Sequence, residues 1–194
     1  MGELILTTAS ASEPVTTAEA KSHLRVDISD DDTLIDTLVE SARQMFEAVN
    51  GRALFTQTWT LTLDRWPSRP YIVLPRPPLA SVTSVTYIDD DGDSTVWDSG
   101  NYIVETGRTP GRLHLAEDVD WPSASLRTAS PITIAYVAGW DDVADIPQRY
   151  KQAILMLVGH WYENRENVIV SGAVPKDVPL AFDSLALLDR VYMR

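Results

Sequence analysis

Apolar residues recur at helical spacing in three stretches of the chain. The first, Ala18 to Leu24, follows Thr16 and Glu19, whose three-residue separation is that of a capping box at a helix start. In the second, Leu34, Ile35, Leu38, Val39, Ala42, Met45, Phe46 and Val49 form one stripe. Asp30, Asp31 and Asp32 lie where negative charge favours a helix N-terminus, and Asn50-Gly51 supplies a left-handed stop. The third opens at Pro147, suited to a first helical turn, and runs to about Glu163. Tyr150, Ala153, Ile154, Leu157, Val158 and Trp161 share one face, while Leu155, Met156 and Tyr162 fall outside it. A helix this widely apolar calls for two covers: the chain's own core, and a second element or a second subunit. A polar stretch from Asn164 to Lys176 precedes a last predicted helix, Leu180 to about Tyr192.

From Thr56 the period falls to two, and β-branched and aromatic residues take over. Strands are predicted at Trp59–Leu63, Tyr71–Leu74, Val82–Ile88, Thr95–Trp97, Tyr102–Glu105, Leu113–Leu115 and Ile132–Val137, with a hairpin turn over Asp89–Asp93. Helices flanking a β block imply an α+β fold: an α-helical bundle from the N- and C-terminal segments with a central antiparallel β insertion. The expected divisions are 1–55 for the N-terminal helices, 56–140 for the β-rich insertion and 141–194 for the C-terminal helices and tail.

The 194 residues include no cysteine, which removes disulfides and thiolate metal sites and is compatible with a reducing cytoplasm. No apolar run approaches the roughly 20 residues of a membrane span, and MGELILTTAS lacks the hallmarks of a signal peptide. A soluble protein is the expectation. The formal charge is −12, from 28 acidic and 16 basic residues, with the arginines scattered. That balance argues against gripping DNA phosphates. It serves solubility, or equally a lumen that repels DNA and lets it slide.

Catalytic chemistry finds little support. His23, His114 and His160 fit no nucleophile-elbow or metalloprotease pattern, and His160 with Glu163 is only half a metal site. An EF-hand register on Asp89–Asp93 would begin at Tyr87 and end at Asp98, so a polar hairpin tip explains the cluster better. No phosphate-cradling glycine loop occurs. Trp59, Trp66, Trp97, Trp121 and Trp140 lie in or beside the β block, where packing accounts for them, leaving Trp161 as the interface aromatic. No catalytic, cofactor-binding or metal-ligating residue is therefore expected.

Seven phrases occur in a recognisable order: TTAEAKSHLRVD, DDDTLIDTLVESARQMFEAVNGR, TQTWTLTLDRWP, LPRPPLASVTSVTYIDDDG, ITIAYVAGW, IPQRYKQAILMLVGHWYENRE and VPLAFDSLALLDRVYMR. Together they resemble the head-tail connector (adaptor) proteins of long-tailed phages, in the version with a central β domain, and the similar adaptors of gene transfer agents. The resemblance covers nearly the whole chain. It implies a non-catalytic virion protein, assembled in the host cytoplasm and located in the neck between head and tail. There it would form a homo-oligomeric ring, twelvefold in the virion, beneath the portal protein. The ring would extend the DNA channel without binding DNA specifically and offer a platform to a stopper or tail-completion protein, with no membrane and no cofactor involved. The family's portal-engaging C-terminal segment matches Val178 to Arg194, which points to Leu185, Leu188, Val191, Tyr192 and Arg194. For the ring contact, the second and third helices offer Leu38, Arg43, Arg149, Tyr150, Met156, Trp161 and Tyr162, with Lys151, Arg165 and Glu166 as flanking charges. Alternatives are another neck component, such as a stopper or tail terminator, a monomeric binding module using the tryptophan-rich β block, or an enzyme built on paired carboxylates.

Overall fold

The computed structural model describes residues 2–164 and, beyond them, Phe182, Leu185, Leu187, Asp189, Arg190 and Val191. The chain order is β1 (Glu3–Thr8), α1 (Thr17–Leu24), α2 (Asp32–Asn50), β2 (Gln57–Leu63), β3 (Tyr71–Val73), β4 (Leu79–Ile88), β5 (Ser94–Val96), β6 (Tyr102–Glu105), β7 (Arg112–Leu115), β8 (Ile132–Ala138) and α3 (Gln148–Glu163). The fold is α+β and divides into two compact units. One is helical and takes Ser12–Leu54 with the described residues between Asp142 and Val191; the other is the β unit, Phe55–Asp141 with the N-terminal strand.

In the helical unit the sequence signals act as caps. Thr16 Oγ1 accepts the Glu19 N–H at 3.2 Å, and the Glu19 carboxylate accepts the Thr16 N–H at 2.8 Å. The bonds from Thr16 hold the Glu19 carboxyl below its ordinary pKa. Gly51, at φ 75°, ends α2 by donating to Glu47 O, a conformation that costs glycine no Cβ clash. The acidic cluster before α2 does more than favour its N-terminus. Asp31 accepts the Tyr162 hydroxyl, and Asp32 binds Lys21 Nζ at 2.6 Å, so two of the three carboxylates tie α2 to α3 and to α1. Ile35, Val39, Ala42 and Phe46 of α2 are buried against the α3 stripe Tyr150, Ala153, Ile154, Leu157 and Val158. Phe46 and Tyr150 have ring centroids 5.0 Å apart.

The β unit holds a five-stranded antiparallel sheet in the order β1-β2-β8-β4-β5 and a three-stranded one in the order β3-β7-β6. β8 is central, and its alternate residues Ile132, Ile134, Tyr136 and Ala138 are buried. Register places Trp59 opposite Tyr136 and Leu61 opposite Ile134, which stacks the inward positions of β2 and β8 into one core. Tyr136 donates its hydroxyl to Pro75 O at 3.0 Å, and burial pushes its pKa well up. The predicted hairpin joins β4 to β5, with Thr86 opposite Val96.

β1 is the departure from the sequence reading, which put only helices before residue 56. Its positions are nearly all exposed and it carries no period-two pattern. It forms because β2 offers an open edge, pairing Leu4 with Leu61 and Leu6 with Trp59. The signal resides in the partner's unfilled hydrogen bonds.

Candidate assembly surface

The helical unit contains a polar network that the periodicity of α2 hides. Arg43 is 4% exposed and lies on the inward side of α2. Its Nε binds Glu13 at 2.7 Å and its NH1 binds Glu47 at 2.9 Å, while the other Glu47 oxygen accepts the Leu54 N–H at 2.7 Å. Burial opposes the guanidinium charge, but the bonds and charges of Glu13 and Glu47 outweigh it and hold the Arg43 pKa above its ordinary value. Arg43 therefore cross-links the lead-in to α1 with the chain that leaves α2. Sequence reasoning set Arg43 and Tyr150 on a subunit face; both are buried and engaged within their own unit.

The remaining residues chosen for that face divide into two groups. Arg149 pairs with Asp189, and Tyr162 with Asp31, so both hydrogen bond within the chain while keeping partial exposure. Leu38, Met156 and Trp161 are half-buried and apolar. Leu34, Met45 and Val49 flank Leu38 on α2, and Leu155 adjoins Met156 on α3, all likewise half-buried. Each helix thus turns one apolar stripe fully into the core and leaves a second stripe partly in water, which is the geometry of a helix with capacity for another cover.

The described part of the tail returns to the end of α2. Phe182 is 1% exposed, its ring 6.3 Å from that of Phe46. Val191 donates its N–H to Asn50 O at 2.9 Å, Arg52 Nε reaches Asp189 O at 3.2 Å, and Tyr150 donates to Asp189 Oδ2 at 2.8 Å. Leu185 is helical and half-buried, and Val191 is half-buried. Leu188, Tyr192 and Arg194 lie outside the described residues, as do Arg165, Glu166, all of the polar stretch after Asn164, and much of the last predicted helix.

Other chemistry is sparse. Among the described residues no group of three His, Cys, Asp or Glu could hold a metal ion, and no helix is long and apolar enough to cross a membrane. Asp89 Oδ1 accepts the Asp93 N–H at 2.8 Å across the hairpin tip, with Gly92 at φ 94°, so this carboxylate organises a turn. Trp66, Trp97 and Trp121 pack on one another, Trp66 and Trp121 stacked with centroids 5.0 Å apart, and Trp121 Nε1 donates to Arg69 O at 3.1 Å. These three tryptophans are engaged with one another, as packing residues are.

The helical unit thus carries half-buried apolar stripes on α2 and α3, and the β unit is inserted between its two chain segments. A family model described as head completion protein matches residues 14–173, and the chain belongs to that family. Membership makes it a structural component of a virion rather than an enzyme. In fold it is similar to a chain in the virion of a native gene transfer agent particle, with TM-score 0.79 and 21% identity over 98% of this chain and 96% of that one. A chain in the neck of an empty gene transfer agent particle, computed with C6 symmetry, gives TM-score 0.78 and 22% identity over 99% and 97%. A third, in the neck of the native particle computed with C12 symmetry, gives 0.75 and 20% over 98% and 97%. At these identities the likeness establishes a shared fold. No curated protein sequence matches the chain significantly.

Proposed function

We propose that this protein is a head-tail connector that forms a ring in the neck of its particle, twelvefold there, between a portal protein and the next neck component. The observation that carries the reading is the pair of half-buried apolar stripes on α2 and α3, centred on Leu38 and on Met156 and Trp161. Contact between copies through these stripes would complete the burial that the monomer leaves unfinished, at about 25 cal/mol per Å² of apolar surface covered. The fold shared with neck proteins of symmetric particles supports the same assignment. A net charge of −12 suits a lumen through which DNA passes without being held.

The portal contact falls to the C-terminal segment, through Leu185, Leu188, Val191, Tyr192 and Arg194. Phe182 fills the helical core, so deleting Val178–Arg194 would damage folding as well as docking. Substituting Tyr192 and Arg194 with alanine is the cleaner probe.

Native mass spectrometry of the full chain, alone and with the portal protein, tests the proposal. A ring, free or formed only on the portal, is expected. Met156→Asp or Leu38→Asp should abolish it while shifting monomer stability by no more than about 1 kcal/mol, as partly exposed positions allow. A wild-type chain that stays monomeric with the portal present, or aspartate variants that still form rings, would overturn it.

A further inference from the structure

The sheet β3-β7-β6 has one buried face, carrying Ile72 and Leu113, and one outward face that neither the family nor the ring reading uses. Register aligns Tyr71, His114 and Ile103 in a row across the outward face, and Ile103 is 58% exposed. Arginines gather around this row. The Arg112 guanidinium lies 4.2 Å from the Tyr71 ring centroid, and that of Arg69 lies 5.2 Å from it. Arg108 is exposed in the loop that joins β6 to β7, at the Arg112 end of the same sheet. A hydrogen bond from Arg69, then the charges of Arg112, Arg69 and Arg108, hold the Tyr71 phenol below its ordinary pKa.

Among the described residues none of Arg69, Arg108 and Arg112 forms an ion pair, although the chain has 28 acidic residues. Glu105 lies directly across from Arg112, yet it is held by His114 Nε2 at 3.1 Å. Among the described residues Arg112 Nε is buried without an acceptor. An unpaired arginine cluster beside an exposed isoleucine fits an acidic, partly apolar segment, because guanidinium forks are matched to carboxylates. A DNA backbone is the poorer occupant, since the net charge of −12 repels it at a distance.

The same unit carries such a segment at the turn between β4 and β5. Asp89 and Asp93 bond across the β4–β5 turn, with Asp90 and Asp91 exposed at its tip and Val96 68% exposed on the adjoining strand. We propose that the outward face of the β3-β7-β6 sheet, through Arg69, Arg108 and Ile103, docks the Asp90-Asp91 hairpin tip of a second copy of this chain. Two different patches of one chain meeting between copies make a head-to-tail contact, the kind that closes into a ring when the rotation permits. The inference rests on the ring reading above and adds a second, β-unit layer to it.

Charge exchange tests it. One full-length variant carries Arg69→Glu and Arg108→Glu, and another carries Asp90→Arg and Asp91→Arg; each alone opposes like charges, whereas an equimolar mixture restores every contact with its sign reversed or intact. Under conditions in which wild type assembles, alone or on the portal, each single variant should need about tenfold or more higher concentration to assemble. The mixture should return to near the wild-type value. Unimpaired assembly of either variant, or a mixture that stays unassembled, overturns the inference while leaving the ring reading intact; failure of wild type to assemble overturns the ring reading, and the inference falls with it. The chain's lack of cysteine gives a second measurement. Wild-type background with Arg108→Cys and Asp91→Cys together should oxidise into covalent ladders beyond the dimer, and products no longer than those of the single-cysteine variants count against the contact.

Discussion

Tyr150 donates its phenolic hydroxyl to Asp189 Oδ2 at 2.8 Å, across 39 residues of sequence. Arg149, the preceding residue on α3, pairs with the same carboxylate oxygen, so one acid fixes the tail against the start of α3. The bond of Tyr150, then that of Arg149, holds the Asp189 carboxyl below its ordinary range. Because the acid is partly exposed, Asp189→Ala should cost only about 1 kcal/mol of global stability. Its main effect should be local: protease cleavage after Arg190 and hydrogen exchange at Val191 should both accelerate, with α1 unaffected.

Stability should fall at both ends of the pH range, for different groups. Asp189 and Glu19 have depressed folded pKa values, so their stabilisation is complete above the unfolded carboxylate range near ~4 and is lost as pH falls through the folded values. Tyr136 and Tyr150 are raised, both chiefly by burial. Their contribution is complete below the unfolded tyrosine value of ~10 and is lost as pH rises through the folded ones. Thermal unfolding against pH should show a plateau between these limits. Asp189→Asn should shrink the acid decline and also the Tyr150 share of the alkaline one, because the Asp189 carboxylate helps to raise Tyr150, while the Tyr136 share stays.

Arg43 is the residue whose loss the helical unit should tolerate least. Removing it leaves Glu13 and Glu47 as facing carboxylates, with Glu47 still buried, and breaking a buried pair in this way costs about 3–5 kcal/mol. Glu47→Ala should also be severe, since it leaves the buried Arg43 guanidinium with Glu13 as its one carboxylate partner among the described residues and removes the acceptor of the Leu54 N–H. Urea unfolding of the two single variants and the double variant would measure the coupling. A double variant no worse than either single one is expected, because the three groups act as one network.

Two glycines with positive φ should respond very differently to alanine. At Gly139, φ 111°, a Cβ would lie 2.0 Å from the Phe55 carbonyl oxygen, where the chain crosses the end of β8. Gly139→Ala should cost at least about 3 kcal/mol, combining backbone strain with a backbone clash. At Gly92, φ 94°, nothing lies within 4 Å, and the cost should be only about 1 kcal/mol of strain. Denaturant midpoints of the two variants compare the steric part directly.

Much of the fold was legible because its signals are local. The Thr16–Glu19 box, the Gly51 stop, the α2 and α3 stripes and the period-two strands each depend on residues within a turn or two, so spacing alone revealed them. The surplus apolar width of α3 was equally visible, and it is what directed attention to assembly. The seven phrases stand along the chain in the family's order, and the match over residues 14–173 agrees with them.

What only the tertiary structure decided depends on partners distant in sequence. β1 carries no pattern of its own and exists through the edge of β2. Spacing set Arg43 and Tyr150 at the ring contact, whereas within the chain Glu13, 30 residues earlier, binds Arg43, and Phe46 and Asp189 engage Tyr150. The arginines around Tyr71 are scattered from position 69 to 112, and only strand pairing across β3, β7 and β6 gathers them. Periodicity reports which face of an element is apolar; what covers that face, and which charges meet beside it, is set by contacts that the order of residues does not express.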